Sequence, residues 1–409
     1  MRTPFPVLWS IASLTLAWPC LVQAETSGSS ATAPTHAQVR EAINRSVPFM
    51  EKEGLAWMDK RGCVSCHQIP AMVWSFNALQ RHGFTVDAAK VCEWNEWALK
   101  GAFDGKLAFK LAEKSFAELL KNGASPENVD KLRALKDREF LKESDFWHAV
   151  AEQVGPEIPP QLKEQINKSG AKPGVAPGLG GTFTAIYPAV LHAGVLDAVK
   201  TPDPDTGRTA IFEALLRDQQ KDGLWASGGQ FMGMNRPKEE STAINSAWIL
   251  LALSSMDSLP ENMVAARDRA SVALAQTPPG VSTESTLVRL LLAHRASDAK
   301  LETDLLAKLL QLQRPDGGWA FRTENPSSDA LTTGQVLYSL RTLGQKNTTE
   351  PVQHAVRYLL QNQQPDGSWS VPWINFNVEN HKDHTQGTQI FSYWGSGWAI
   401  VGLLETLES

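Results

Sequence analysis

The sequence predicts an all-α protein assembled from helix–turn–helix units, and three observations carry that expectation. One signature occurs three times, as Leu215-Leu216-Arg-Asp-Gln219-Gln220-Lys-Asp-Gly223-Leu-Trp225, as Leu309-Leu310-Gln-Leu-Gln313-Arg-Pro-Asp316-Gly317-Gly-Trp319, and as Leu359-Leu360-Gln-Asn-Gln363-Gln-Pro365-Asp366-Gly367-Ser-Trp369. Its tryptophans lie 94 and 50 residues apart, which leaves room for one degenerate copy of about 47 residues at Ala275-Gln276-Thr-Pro-Pro-Gly280. An apolar helical stretch follows each copy, at Ser241–Leu253, Thr286–Ala293, Leu331–Leu340 and Gly395–Leu404. These stretches are apolar on most faces, as expected of an inner layer sheltered by an outer one.

From the N-terminus, Arg2 precedes an apolar run from Val7 to Trp18, and Val22-Gln23-Ala24 reads as a small-residue cleavage site. Residues 1–24 are therefore expected to be a signal peptide, 25–37 a disordered linker rich in Ser, Thr and Ala, and 38–409 the folded part. The predicted localisation is periplasmic or secreted. No later segment is long and apolar enough to span a bilayer. A helix from Gln38 to Lys60, bent or restarted at Pro48, and a second from Pro70 to Arg81 closing at Gly83 form the first hairpin.

Between these helices stands Arg61-Gly-Cys63-Val-Ser-Cys66-His67-Gln68. Two thiols three residues apart, followed at once by an imidazole, match the pattern that attaches a c-type haem. Two thioether bonds pin the porphyrin beside the segment, and His67 is then placed to offer a ring nitrogen to the iron. The same cysteines also permit a Cys63–Cys66 disulfide or redox dithiol, or part of a metal site with a further ligand. If Cys20 leaves with the signal, the mature chain keeps Cys63, Cys66 and Cys92, an odd count that does not describe a disulfide-stapled scaffold. The formal charge of −5 is mild for 409 residues and argues against nucleic acid as a partner.

Residues 84–180 fit the repeat least well. Helices are expected over Phe103–Asn122 and over Phe140–Val154, the latter holding Trp147 and His148. Lys172–Gly181 reads as a glycine-rich linker and Gly181–Leu191 as a further inner helix. In each signature Asp bonds the local backbone and Gly accepts a positive φ, and in the second and third Pro315 and Pro365 also preset φ, which makes the turn. The segment from Trp369 to Trp394 is expected to be a long loop, in which His381, Asp383 and His384 have spacing compatible with a metal.

The repeat resembles the QW motif of the terpenoid cyclase and protein prenyltransferase superfamily. The likeness covers residues 205–409 well and 38–200 only through helix pattern. It implies a closed α/α toroid in which Gln313, Trp319, Gln363 and Trp369 serve stability. The catalytic features of that superfamily do not carry over. The cyclase Asp-x-Asp-Asp acid is missing, Asp203-Pro-Asp205 lies in a turn, and Glu239-Glu240 reads as a helix-dipole cap. No cysteine follows Cys92, so the prenyltransferase zinc site cannot be built, and the Gly-Cys-Gly-Glu-Gln thioester string is also missing.

The chain also resembles exported bacterial proteins in which QW repeats accompany a C-x-x-C-H. That likeness implies covalent haem c at Cys63, Cys66 and His67, with a role in electron transfer or in redox or ligand sensing. A redox partner protein, or a lipid-like or quinone ligand in an aromatic central cavity, would be its counterpart. His148, beside Phe146 and Trp147, is the candidate for a second iron ligand, with His192, Met232 and Met234 as others and a five-coordinate iron as the alternative. The competing expectation is a cyclase-like or isoprenoid-binding toroid without haem.

Overall fold

The computed structural model describes residues 33–61, 68–103, 111–136, 138, 140, 143–169, 211–213, 215–226, 236–256, 258–372 and 381–407. Their helices are α1 (His36–Arg61), α2 (Gln68–Arg81), α3 (Ala88–Phe103), α4 (Glu113–Lys121), α5 (Pro126–Leu132), α6 (Glu143–Val154) and α7 (Pro160–Lys168). They continue with α8 (Lys238–Ser254), α9 (Glu261–Gln276), α10 (Thr283–Arg295), α11 (Ala299–Gln311), α12 (Ala330–Thr342), α13 (Glu350–Asn362) and α14 (His381–Glu405). The fold is all-α, an α/α toroid. Among the described residues β-pairing is limited to isolated bridges such as Gln363 with Trp369.

Helices α2, α8, α10, α12 and α14 form the inner layer, and α8 is buried from Glu240 through Leu253. Each inner helix packs on the next, α8 on α10, α10 on α12, α12 on α14 and α14 on α2. Outer helices α9, α11 and α13 back α8, α10 and α12, and α1 backs α2 and α14. The inner layer is dense where glycines let backbones meet. A Cβ at Gly334 of α12 would fall 2.5 Å from the carbonyl oxygen of Trp398, and one at Gly402 of α14 would fall 2.6 Å from that of Gly334.

The three signatures make the same bonds. Each tryptophan is fully buried and its Nε1 donates to the carbonyl ten residues earlier on its own outer helix, Leu215, Leu309 or Leu359, at 2.7–2.8 Å. Its backbone N–H donates to an inner-helix hydroxyl, Ser246, Thr333 or Ser396. The Nε2 of each glutamine donates twice, to its own turn at Gly223, Gly317 or Gly367 and to a carbonyl of the next outer helix, at Ala266, Pro351 or Ala42. The last of these acceptors lies on α1, so the third signature joins the C-terminal end of the chain to the N-terminal hairpin. Gly367 (φ +86°) passes so close to α1 that an added Cβ would lie 2.0 Å from the Arg45 carbonyl oxygen. Tyr393 reinforces the same seam, its hydroxyl donating to the Met50 carbonyl at 2.9 Å.

Several boundaries differ from expectation. Pro48 sits inside an unbroken α1. The helix expected over Phe103–Asn122 is shorter. α4 starts only at Glu113, because Ala112 is its extended N-cap and Leu111 bridges Lys136. The loop expected from Trp369 to Trp394 is largely helical, since α14 begins at His381, so His381 and His384 lie on its first turns. Residues 111–166 also build a core of their own around Leu119, Leu132, Phe146 and Ile166. Lys172–Gly181, Gly181–Leu191, His192, Met232 and Met234 lie outside the described residues.

Trp319→Ala and Trp369→Ala should each cost about 3–5 kcal/mol, the range for a large aromatic removed from a packed site. Urea denaturation of each variant against the parent measures this. A cost below 1 kcal/mol would place the indole outside the stabilising framework.

Candidate functional site

The motif residues Cys63, Cys66 and His67 lie outside the described residues, but the helices on either side of them are well built. α1 ends at Arg61 and α2 opens with Gln68, Ile69 and Met72 all buried. The Met72 thioether fills the space above Gly54, where an added Cβ would meet Met72 Sδ at 2.3 Å and the Tyr393 hydroxyl at 2.8 Å. Both helices beside the motif pack on α14. Downstream, His82 holds the Ala78 carbonyl with Nδ1 at 2.9 Å, and half-buried Cys92 has Sγ 3.8 Å from Glu96 Oε1.

His148 lies on α6, in the separate core of residues 111–166. Its side chain is 77% exposed, with Nε2 3.5 Å from Glu152 Oε1. The aromatic bulk beside it is used elsewhere, because Phe146 packs against Phe140 and Trp147 lies under Lys163 Nζ.

The inner helices converge on aromatic side chains. Trp74 of α2 contacts Trp398 of α14, Tyr338 of α12 and Trp248 of α8, with ring centroids 4.8, 6.0 and 6.3 Å away. Offset and tilted pairs of this kind contribute beyond their buried area. Next to them lies an ionic cluster that the sequence reading missed. Arg236 Nη1 donates to Glu284 Oε2 at 2.7 Å, and the two side chains are 0% and 1% exposed. Trp248 Nε1 and Gln335 Nε2 both donate to Glu284 Oε1 at 3.1 Å, Arg236 Nε donates to Ser241 Oγ, and the guanidinium stands 5.4 Å from the Phe321 ring centre. The one available signal was an acidic residue in the first turn of a helix expected to lie in the inner layer.

Each buried carboxylate near the inner helix starts is committed to the protein. Glu240, expected to cap its own helix, instead caps the approach to α10, accepting from Val281 N, Ser282 N and Ser282 Oγ at 2.6–3.1 Å. Asp329 caps α12 through Thr332 N at 2.7 Å and also accepts from Phe321 N. Burial pushes its carboxyl up to about 6, against the opposing effect of those hydrogen bonds. None of the three is poised as a strong acid over open space.

Comparison with known proteins gives fold neighbours and no family. No family model and no curated protein matches. Among solved structures, a glycosidase variant aligns at a TM-score of 0.52 and 12% identity, over 91% of this chain and 97% of that one. The wild-type glycosidase aligns at 0.50 and 11% over the same shares. A variant of the type II terpene cyclase MstE from Scytonema, in complex with geranylgeranyl dihydroxybenzoate, aligns at 0.45 and 15%, over 91% and 98%. At these identities the glycosidase likeness shows the α/α toroid and nothing of its chemistry.

Arg236→Met and Glu284→Gln should each lower stability by about 3–5 kcal/mol, because each leaves one member of a buried pair uncompensated. Denaturation midpoints of both variants measure it, and near-parent stability in either would contradict the pair's burial.

Asp329 generates a pH-dependent prediction. Its native carboxyl keeps its proton to higher pH than the unfolded one, so its contribution falls as pH rises from about 4 to about 6. Asp329→Asn removes this dependence, so relative to the parent it should gain on the order of 3 kcal/mol between pH 4 and pH 7. Urea denaturation of both proteins at the two pH values reads that difference.

Proposed function

We propose that this chain is an exported α/α toroid carrying covalent haem c, with Cys63 and Cys66 as attachment points and His67 as an iron ligand. The observation that carries the reading is the Cys63-Val-Ser-Cys66-His67 string itself, held in the short connection between α1 and α2. The donor set suits the group, with two thiols to tether the ring edge and an imidazole next in sequence to meet the metal. Bound haem would supply one-electron chemistry. The chain's own contribution is a stiff mount, since both helices beside the motif are packed on α14. The function is then electron transfer or redox or ligand sensing outside the cytoplasm, with a redox protein or a quinone-like molecule as counterpart. His148, exposed and beside Glu152, adds no support for a second axial ligand.

A second reading is a toroid that binds an isoprenoid-like ligand without haem. The cluster of Trp74, Trp248, Tyr338 and Trp398 supports it, because aromatic walls suit an apolar chain. In that case Cys63 and Cys66 close as a disulfide or stay as thiols.

One measurement separates the two. Protein made with a cytochrome c maturation system should show a Soret band, and the haem should stay attached through denaturing electrophoresis. Cys63→Ala with Cys66→Ala should abolish attachment. A colourless parent protein from competent cells would overturn the haem reading and leave the ligand-binding toroid.

A further inference from the structure

Between the first and second signatures the repeat breaks, and a cavity lies at the break. In the regular copies the tryptophan N–H that meets an inner-helix hydroxyl lies six residues after the glutamine. In the degenerate copy the same bond runs from Gly280 N to Ser285 Oγ at 2.9 Å. Gly280 therefore occupies the tryptophan position, and Leu274, six residues earlier, occupies the glutamine position. Both the indole that fills the joint and the amide that ties neighbouring outer helices are lost. A Cβ at 280 would lie 2.3 Å from Glu240 Oε1, so a larger residue there would have to displace that carboxylate from Val281 and Ser282.

A cavity of about 550 Å³ lies at this joint, within the roughly 300–1,000 Å³ of small-molecule sites. Its floor is apolar, from Ile244 and Ala247 of α8 and Val288 and Leu292 of α10, and Leu301 and Leu305 of α11 form a wall. The charged lining is unbalanced. Arg267 is paired with Asp268, and Asp298 is spent capping α11 through Leu301 N, which leaves Arg289, Arg295 and Lys308. Arg289 is half-buried, and its Nη2 donates to the Thr277 and Pro278 carbonyls while no described protein group takes its Nε or Nη1. Burial pulls this guanidinium below its usual range against the opposing attraction of the nearby Glu240 carboxylate, whose oxygens are held by Val281 N, Ser282 N and Ser282 Oγ. An incoming anion at Nε and Nη1 would relieve the remaining cost of burial.

The geometry points to a binding site for a single-chain amphiphile with an anionic head, a long-chain carboxylate, seated between α9 and α11 with its tail on α8 and α10 and its head at Arg289 and Lys308. This site lies in the outer layer and does not depend on the haem reading.

Calorimetric titration of the purified protein with sodium laurate, kept below its micelle concentration, tests the assignment. One saturable site is expected, with dodecanol at least about tenfold weaker because it lacks the charge. Ala247→Phe, which fills the floor, should abolish binding. Arg289→Met should weaken it by about tenfold or more. Should either buried variant fail to fold by circular dichroism, the surface change Lys308→Glu should still weaken laurate by several-fold. Absence of saturable laurate binding, equal affinity for dodecanol, or parent-like binding in folded Ala247→Phe or in Lys308→Glu would each overturn the proposal.

Discussion

A single side-chain amide, repeated around the ring, holds the outer layer of this protein together. A helix pair cannot bury its apolar stripe alone, so every repeat depends on the next. The glutamine Nε2 meets this need by donating at once to its own turn and to the next outer helix, at Ala266, Pro351 and Ala42. The indole six residues later anchors the turn to the helix it came from. At Gln363 the next helix is α1, and the interaction that propagates the repeat becomes the one that closes it. Arg45 Nη2 donates to the same amide's oxygen at 2.7 Å, so both halves of the Gln363 side chain serve the seam.

The closed inner layer decides what the centre can do. Glu240, Glu284 and Asp329 all lie near inner helix starts. Here Glu240 and Glu284 accept from neighbouring elements, and Asp329 accepts from its own helix through Thr332 and from Phe321 N. Glu284 bridges three elements by accepting from Arg236, from Trp248 of α8 and from Gln335 of α12. The desolvation of such a buried pair offsets much of its attraction, so its presence adds little net stability although losing one partner costs much. Among the described residues the inner helices meet in tryptophans and committed carboxylates.

The degenerate copy shows the same interaction by its loss. With Leu274 and Gly280 in the glutamine and tryptophan positions, the joint between α9 and α11 is left open and Glu240 takes part of the vacated space. Stability has been given up at one joint of the ring, a place where function is often found.

The sequence by itself determined the helical class, the three regular units and their turns, because a fixed spacing of Gln, Gly and Trp states the same local bonds each time. It also singled out Cys63, Cys66 and His67, since that pattern is local and needs no fold to be read. It misjudged elements without such local marks. The first half of α14, up to Trp394, was read as part of a long loop because its polar, histidine-bearing start carries no apolar period. Its second half from Gly395 was legible as a helix, and in the ring the glycines at 395, 397 and 402 let it press against Val371, Ala71 and Gly334. Only the tertiary structure decided that Glu240 caps a different helix from its own, that Arg236 meets Glu284 across 48 residues, and that the missing tryptophan leaves a cavity. Those outcomes depend on which helices become neighbours, and burial assigns such long-range partners only once the ring has closed.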